Sequence, residues 1–292
     1  MLAMIFMTLP RANISAKRIN EVLEEKISII DGEFDGKTTE VGTVEFKNVS
    51  FKYPDADEYI LENISFKVNK GEVIAFIGST GSGKSSLINL IPRFYDVTEG
   101  EILVDGVNVK EYKLEALHNK IGYVPQKAVM FTGSVIDNVS YGENNNKKIT
   151  IDKVKEAIKV AQGTEFVEKM KDKYKSHISR GGTNISGGQK QRLAIARAIA
   201  RSPEIYIFDD SFSALDYKTD SILRKELKKY TKDATSMIVA QRIGTIINAD
   251  KIVVLDNGKC VGIGTHKELL RKCKVYKEIA LSQLSKEDLE NG

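Results

Sequence analysis

The chain has only two cysteines in 292 residues, Cys260 and Cys273, and they form no C-x-x-C and have no neighbours at metal-ligand spacing. This excludes a disulfide scaffold and suits a reducing compartment. The three histidines, His118, His177 and His266, lie far apart. They suggest no metal centre, and surface or helix-capping places are expected for them. A basic tract is also missing: 44 Lys and Arg against 40 Asp and Glu leave a net charge of +4, spread along the sequence. Nothing follows a nucleic-acid backbone, no nucleic-acid partner is expected, and lysine-rich stretches such as 225–232 read as solvated helix faces. Residues 1–9 are apolar but fall short of half the roughly 20 residues needed to span a bilayer. Before the break expected at Pro10-Arg11 they have neither the basic leader nor the small-residue cleavage site of a signal peptide. Two readings stay open, a helix buried in a core or the last turns of a membrane helix that begins outside this chain. No internal repeat is visible.

What is present is an ordinary globular composition, 41% hydrophobic, enough for one large core or two modest ones. Ile14, Ile19, Val22 and Leu23 among charged neighbours predict an amphipathic helix over residues 13–29, residues 31–37 read as a linker, and a domain boundary is expected near 40. Strand-like alternation covers 44–51 and 64–68, and Asp105-Gly106 predicts a hairpin between 101–104 and 107–109. Asn144 to Lys148 reads as a loop. Helical periods run over 151–170, 189–201 and 219–230. A strand is expected at 236–240, and Asn257-Gly258 should turn a hairpin after the strand 251–255.

Gly78-Ser79-Thr80-Gly81-Ser82-Gly83-Lys84-Ser85 matches G-x-x-x-x-G-K-[ST] in full, after the strand-like 72–77 and before a helical stretch opening at Ser86. In that order the pattern is chemically specific. Glycines let backbone N–H groups close around phosphates, the helix N-terminus adds positive potential, Lys84 reaches the β- and γ-phosphates, and the Ser85 hydroxyl ligates Mg²⁺. A Gly/Ser turn that binds nothing would need neither the Lys-Ser pair nor these flanks. Downstream, Ile205-Tyr206-Ile207-Phe208-Asp209-Asp210 reads as a buried parallel strand that delivers a carboxylate, Asp209, to a metal at its C-terminal edge.

Ile185-Ser186-Gly187-Gly188-Gln189 stands at the head of the helical segment 189–201. By itself it is a Ser N-cap with a flexible lead-in, or a second anion-binding helix N-terminus. Between the phosphate loop and the Asp209 strand, it resembles the signature motif of the ATP-binding cassette (ABC) ATPases, and the resemblance runs from about Val44 to Leu281. It implies an α/β fold: a P-loop NTPase core with an antiparallel β-subdomain and an α-helical signature subdomain. It also implies ATP and Mg²⁺ as cofactors. Tyr53 resembles the aromatic that stacks on adenine, for which a flat π-face suffices. Gln126, in Gly122-Tyr123-Val124-Pro125-Gln126, resembles the glutamine that touches Mg²⁺ and the attacking water and senses the membrane domain. Ser213-Ala214-Leu215-Asp216 resembles the loop that crosses the dimer interface. In this family two cassettes stack head to tail, so Ser186, Gly187, Gly188 and Gln189 would cover ATP held by a partner's loop.

Residues 10–19 resemble the segment that leads from the final membrane helix of ABC exporters into the cassette. The implied organisation is 1–40 as the end of that helix and its linker, 41–284 as the nucleotide-binding domain and 285–292 as a polar tail. The cassette would lie at the cytoplasmic face of the cell membrane. Two positions depart from the family pattern. Asp210 stands where a glutamate usually polarises the attacking water, and Gln241 where a histidine usually contacts the γ-phosphate. Asp is shorter than Glu by one methylene, about 1.5 Å, and misplacing a catalytic group by about 1 Å can cost roughly 10²-fold in rate. Gln keeps a hydrogen bond but has neither the charge nor the proton handling of His. The expectation is an ATPase that binds ATP, turns it over slowly at its own site and completes the active site of a second half-transporter in a heterodimer. A homodimer working slowly through Asp210 is the alternative. A soluble ABC ATPase acting on DNA or ribosomes, or a non-catalytic nucleotide-gated module, are the readings from other classes.

Overall fold

The computed structural model describes residues 2–142 and 148–283. Residues 144–147 of the expected loop and the tail 285–292 lie outside the described residues. The chain divides into two units, Met1–Asp31 and Gly32–Gly292.

The first unit carries helix α1, Leu2–Leu23, which continues through Pro10 and ends short of the expected residue 29. Pro removes one ladder hydrogen bond and crowds the preceding turn, yet a helix with good formers on both sides can pass through it. Ile14, Ile19, Val22 and Leu23 are exposed. Among the described residues no helix is long and apolar enough to cross a membrane.

The second unit begins with the stretch read as a linker, and here its role differs. Gly32 N donates to Tyr112 O, Phe34 N to Glu111 O and Lys113 N to Phe34 O, while the Phe34 and Tyr112 rings meet edge to face at 4.9 Å. A Cβ on Gly32 would lie 2.2 Å from Glu111 O, which is why the chain needs glycine there.

The elements that follow are β1 (Val44–Phe51), β2 (Leu61–Val68), β3 (Val73–Gly78), α2 (Lys84–Asn89), β4 (Glu99–Val104), β5 (Val107–Asn108), α3 (Leu114–Lys120) and β6 (Ile121–Val124). A helical arm comes next: β7 (Gly133–Ser134), α4 (Val135–Val139), α5 (Ile151–Val160), α6 (Thr164–Glu168), β8 (His177–Ile178) and α7 (Gly187–Ala200). The chain then returns through β9 (Ile205–Asp209), α8 (Tyr217–Tyr230), β10 (Thr235–Val239), α9 (Ile243–Ile246), β11 (Lys251–Asp256), β12 (Lys259–Gly264), α10 (His266–Lys272) and α11 (Lys274–Gln283). The single helix expected over 151–170 is two. Gln162 turns left-handed at φ 58°, and Gly163 N closes back on Ile158 O at 2.8 Å, a C-terminal stop that periodicity does not reveal.

Ten strands form one sheet in the order β5-β4-β1-β2-β12-β11-β3-β10-β9-β6. From β11 to β6 the pairs are parallel, and β1, β2, β4 and β5 pair antiparallel. The parallel strands are buried on both faces, so each reads as a continuous apolar run. Alternation then assigns their side chains: Ile74, Phe76, Ile207 and Val253 enter the core shared with β1, β2 and α2, whereas Ala75, Ile77, Phe208 and Val254 enter the core shared with α5, α7 and α8. Every C-terminal strand edge of the parallel set therefore points its loops the same way, and those loops carry the site.

Candidate nucleotide site

The loop between β3 and α2 wraps its own lysine. Lys84 Nζ donates to Gly78 O at 2.9 Å, Ser79 O at 2.7 Å and Ser82 Oγ at 3.2 Å. Gly81 and Gly83 hold φ of 83° and 93°, a region glycine enters without steric cost. At Gly83 a Cβ would also press on Leu61 Cδ2 at 2.7 Å, whereas the Cβ direction of Gly81 is open. The loop thus presents small, amide-rich backbone and an ammonium group, as an anion site requires. Burial lowers the Lys84 pKa, and Asp210 and Asp209 oppose that shift.

Next to the loop, Ser85 Oγ donates to Asp209 Oδ1 at 3.1 Å, joining the start of α2 to the end of β9. Asp210 follows at φ 45°, a left-handed conformation that aspartate tolerates better than most residues. Its N–H donates to Val239 O at 3.0 Å, and its Oδ2 accepts from Gln241 Nε2 at 2.8 Å and Gln126 Nε2 at 3.3 Å. Both carboxyl pKa values are raised, first by burial. Ser85 opposes the shift at Asp209, and Gln126, Ser213 and Gln241 oppose it at Asp210.

Tyr53 donates to or accepts from Ser86 Oγ at 2.8 Å, and its ring meets Tyr95 edge to face at 5.1 Å. A cavity of about 320 Å³ collects Tyr53, Thr80, Gly81 and the stretch 83–86 of the loop, Gln126, Asp209, Asp210 and Gln241. Gly78, Ser79 and Ser82 support it through Lys84. The oxygen donors Ser85, Asp209 and Gln126 suit a hard cation held also by phosphate and water. Among the described residues there is no cluster of three or more His, Cys, Asp or Glu that could hold a metal by itself.

Ser186 to Gln189 are not in this cavity. Ser186 caps α7 in a reciprocal box, Gln189 N to Ser186 Oγ at 3.3 Å and Ser186 N to Gln189 Oε1 at 2.9 Å. The Cβ direction of Gly187 is open space, while Gly188 lies against Ala214 O, 3.2 Å from its Cβ direction. The capping box and the exposed N-terminus of α7 are thus the same local structure.

Several residues that sequence patterns do not mark brace the site. Ser211 Oγ donates to Val124 O at 2.9 Å, and Gln191 Nε2 on α7 donates to Pro125 O at 3.2 Å, beside Gln126. Tyr123 OH donates to Asn89 Oδ1 at 2.9 Å, and burial raises its pKa. Of the surface or helix-capping places expected for the histidines, His266 takes neither: it is the first residue of α10, after the cap Thr265, and is buried with Nδ1 2.7 Å from Tyr276 OH.

A phosphate loop, a strand-end acid and a second glycine-headed helix on a mixed sheet define a P-loop nucleotide triphosphatase with a cassette-type helical arm. The chain belongs to the ABC transporter family, whose description matches residues 61–213, and it is an ABC ATPase domain. It is 45% identical over 288 residues to an uncharacterized ABC transporter ATP-binding protein of Mycobacterium bovis, covering 97% of this chain and 49% of that protein. With a putative multidrug export ATP-binding/permease protein of Staphylococcus aureus it shares 44% identity over 238 residues, 82% of this chain and 41% of that one. A solved bacterial Atm1-family ABC exporter with ATP bound superposes with a TM-score of 0.87 at 31% identity, over 98% of this chain and 50% of the exporter chain. The chain spans about half the length of the curated relatives it matches.

Proposed function

We propose that this chain is the ATP-binding part of an ABC exporter, working at the cytoplasmic face of a membrane and coupling ATP binding and hydrolysis to substrate movement. The observation that carries the reading is the single cavity that joins the phosphate loop to Tyr53, Asp209, Asp210, Gln126 and Gln241. In it Tyr53 offers adenine a ring face, residues 78–86 hold the phosphates and Lys84 turns from its own loop's carbonyls to phosphate oxygens. Ser85, Asp209 and Gln126 would hold Mg²⁺, which supplies charge neutralisation on the phosphates. Asp210 orients and deprotonates water, assisted by Gln126, and Gln241 keeps the carboxylate in place while donating toward the terminal phosphate. Residues 1–40 connect this domain, 41–284, to a membrane helix, and 285–292 form a polar tail.

The working unit in this proposal is a dimer, because the signature residues 186–189 lie outside the chain's own cavity and need a second loop to cover. A heterodimer fits best. Asp210 is the shorter acid and one of its oxygens is already held by two amides, Gln126 and Gln241, whereas the signature is complete. Affinity purification of the full-length tagged protein from its own membranes tests this. Recovery, in equal amount, of a related cassette with Glu and His at the positions of Asp210 and Gln241 is the expected result. Recovery of this chain alone would replace the heterodimer with a slow homodimer.

A further inference from the structure

The segment that carries Gln241 is gripped from behind by the end of α11. Gln283 Nε2 donates to Gln241 O at 2.8 Å, and Ile243 N donates to Gln283 Oε1 at 2.8 Å. One side-chain amide therefore straddles Arg242 and satisfies the carbonyl before it and the N–H after it, as a neighbouring strand would. Local structure gives this segment little rigidity of its own, since β10 ends at Val239 and α9 is a single turn, Ile243–Ile246. A second grip comes from α8: Arg224, paired with Asp220 through two bonds of 3.0 Å, donates to Gly244 O at 3.0 Å. Tyr276 and Ala280 bury one face of α11 in the core, so the helix that presents Gln283 is itself anchored.

We propose that Gln283 is a positioning residue for ATP hydrolysis: it holds the backbone of Gln241 so that the Gln241 amide reaches Asp210. The inference rests on the role given to Asp210 and Gln241 above. Its physical basis is the short chain of bonds from Gln283 to Gln241 O, and from Gln241 Nε2 to Asp210 Oδ2 at 2.8 Å. Gln283 is exposed, so its bonds compete with water and add little to global stability. Their effect is geometric, and a displacement of about 1 Å at a catalytic amide is enough to lower a rate by up to roughly 10²-fold.

The test uses the full-length protein in its membrane assembly, with a partner cassette's Glu at the Asp210 position changed to Gln so that turnover reads this chain's own site, and compares Gln283→Ala, Gln241→Ala and the double variant. Hydrogen exchange at the Ile243 amide reads the grip, and steady-state ATP turnover reads its consequence. In Q283A we expect faster Ile243 exchange, an unchanged KM for ATP and a kcat lowered about fivefold or more. Adding Q283A to Q241A should change kcat no further. Gln283→Glu, which can accept from Ile243 N but cannot donate to Gln241 O, should fall between wild type and Q283A. Unchanged Ile243 exchange in Q283A, or losses that add in the double variant, would overturn the positioning role. If Q241A alone leaves turnover unchanged, the role of Gln241 in the site fails and takes this inference with it, and that single variant tells the two failures apart.

Discussion

Asp210 combines a left-handed backbone, a buried carboxyl and two amide donors on one oxygen. Its folded pKa is raised above the ordinary 3.8, so the folded chain binds this proton more tightly than the unfolded chain does. Stability therefore falls as pH rises through the window between those two values, and the ionised carboxylate is a net cost above it. We expect Asp210→Asn to melt higher than wild type near pH 7, with the gap closing as pH falls through that window. Calorimetry across the pH range checks this, and a wild type that melts higher throughout would contradict it. At this scale the loop glycines, Lys84, Ser85 and Asp209 were legible because each position admits few residue types at a fixed spacing or strand end. Gln283, Gln191 and Tyr123 were not, since a polar residue on a helix or strand has no pattern that names its distant partner.

Among the elements, α7 shows most directly how a motif is also a piece of local structure. Its capping box joins Ser186 and Gln189, so Ser186→Ala should cost about 1 kcal/mol of stability, read as a lower Tm of the isolated chain. Separately, it should lower hydrolysis in the assembled transporter more than that loss of stability explains. Strands β3, β9, β10 and β11 were easy to recognise because both their faces are buried, so that each reads as an unbroken apolar run. The break between α5 and α6 was hidden, as Gln162 gives no sign that it will adopt φ 58°. The 13–29 helix prediction failed at its N-terminal end because Pro10 was treated as a stop, whereas α1 accommodates it, and at its C-terminal end because α1 stops at Leu23.

For the molecule as a whole, the division at Asp31 and Gly32 has a measurable consequence. Gly32 and Phe34 are tied to the larger unit by backbone hydrogen bonds. A truncation through Phe34 should therefore lower that unit's Tm below that of a truncation ending at Asp31. Scanning calorimetry of the two truncations checks this. Within the sheet of the larger unit, the antiparallel and parallel parts meet where β12 pairs with β2 at Lys259 and Glu62. There Gly258, at φ 76°, passes so close to Ile60 that a Cβ would lie 2.4 Å from its carbonyl oxygen.

By itself the sequence determined the family, the phosphate loop and the strand-end acids, because these depend on residue type and local spacing. Tertiary structure alone decided that Gln126, Asp210 and Gln241 share one carboxylate oxygen, that Ser186 lies outside the chain's own cavity, and that Gln283 holds the segment behind Gln241. Those relations join residues far apart along the chain, and only the packing of the sheet and its helices brings them within hydrogen-bonding distance.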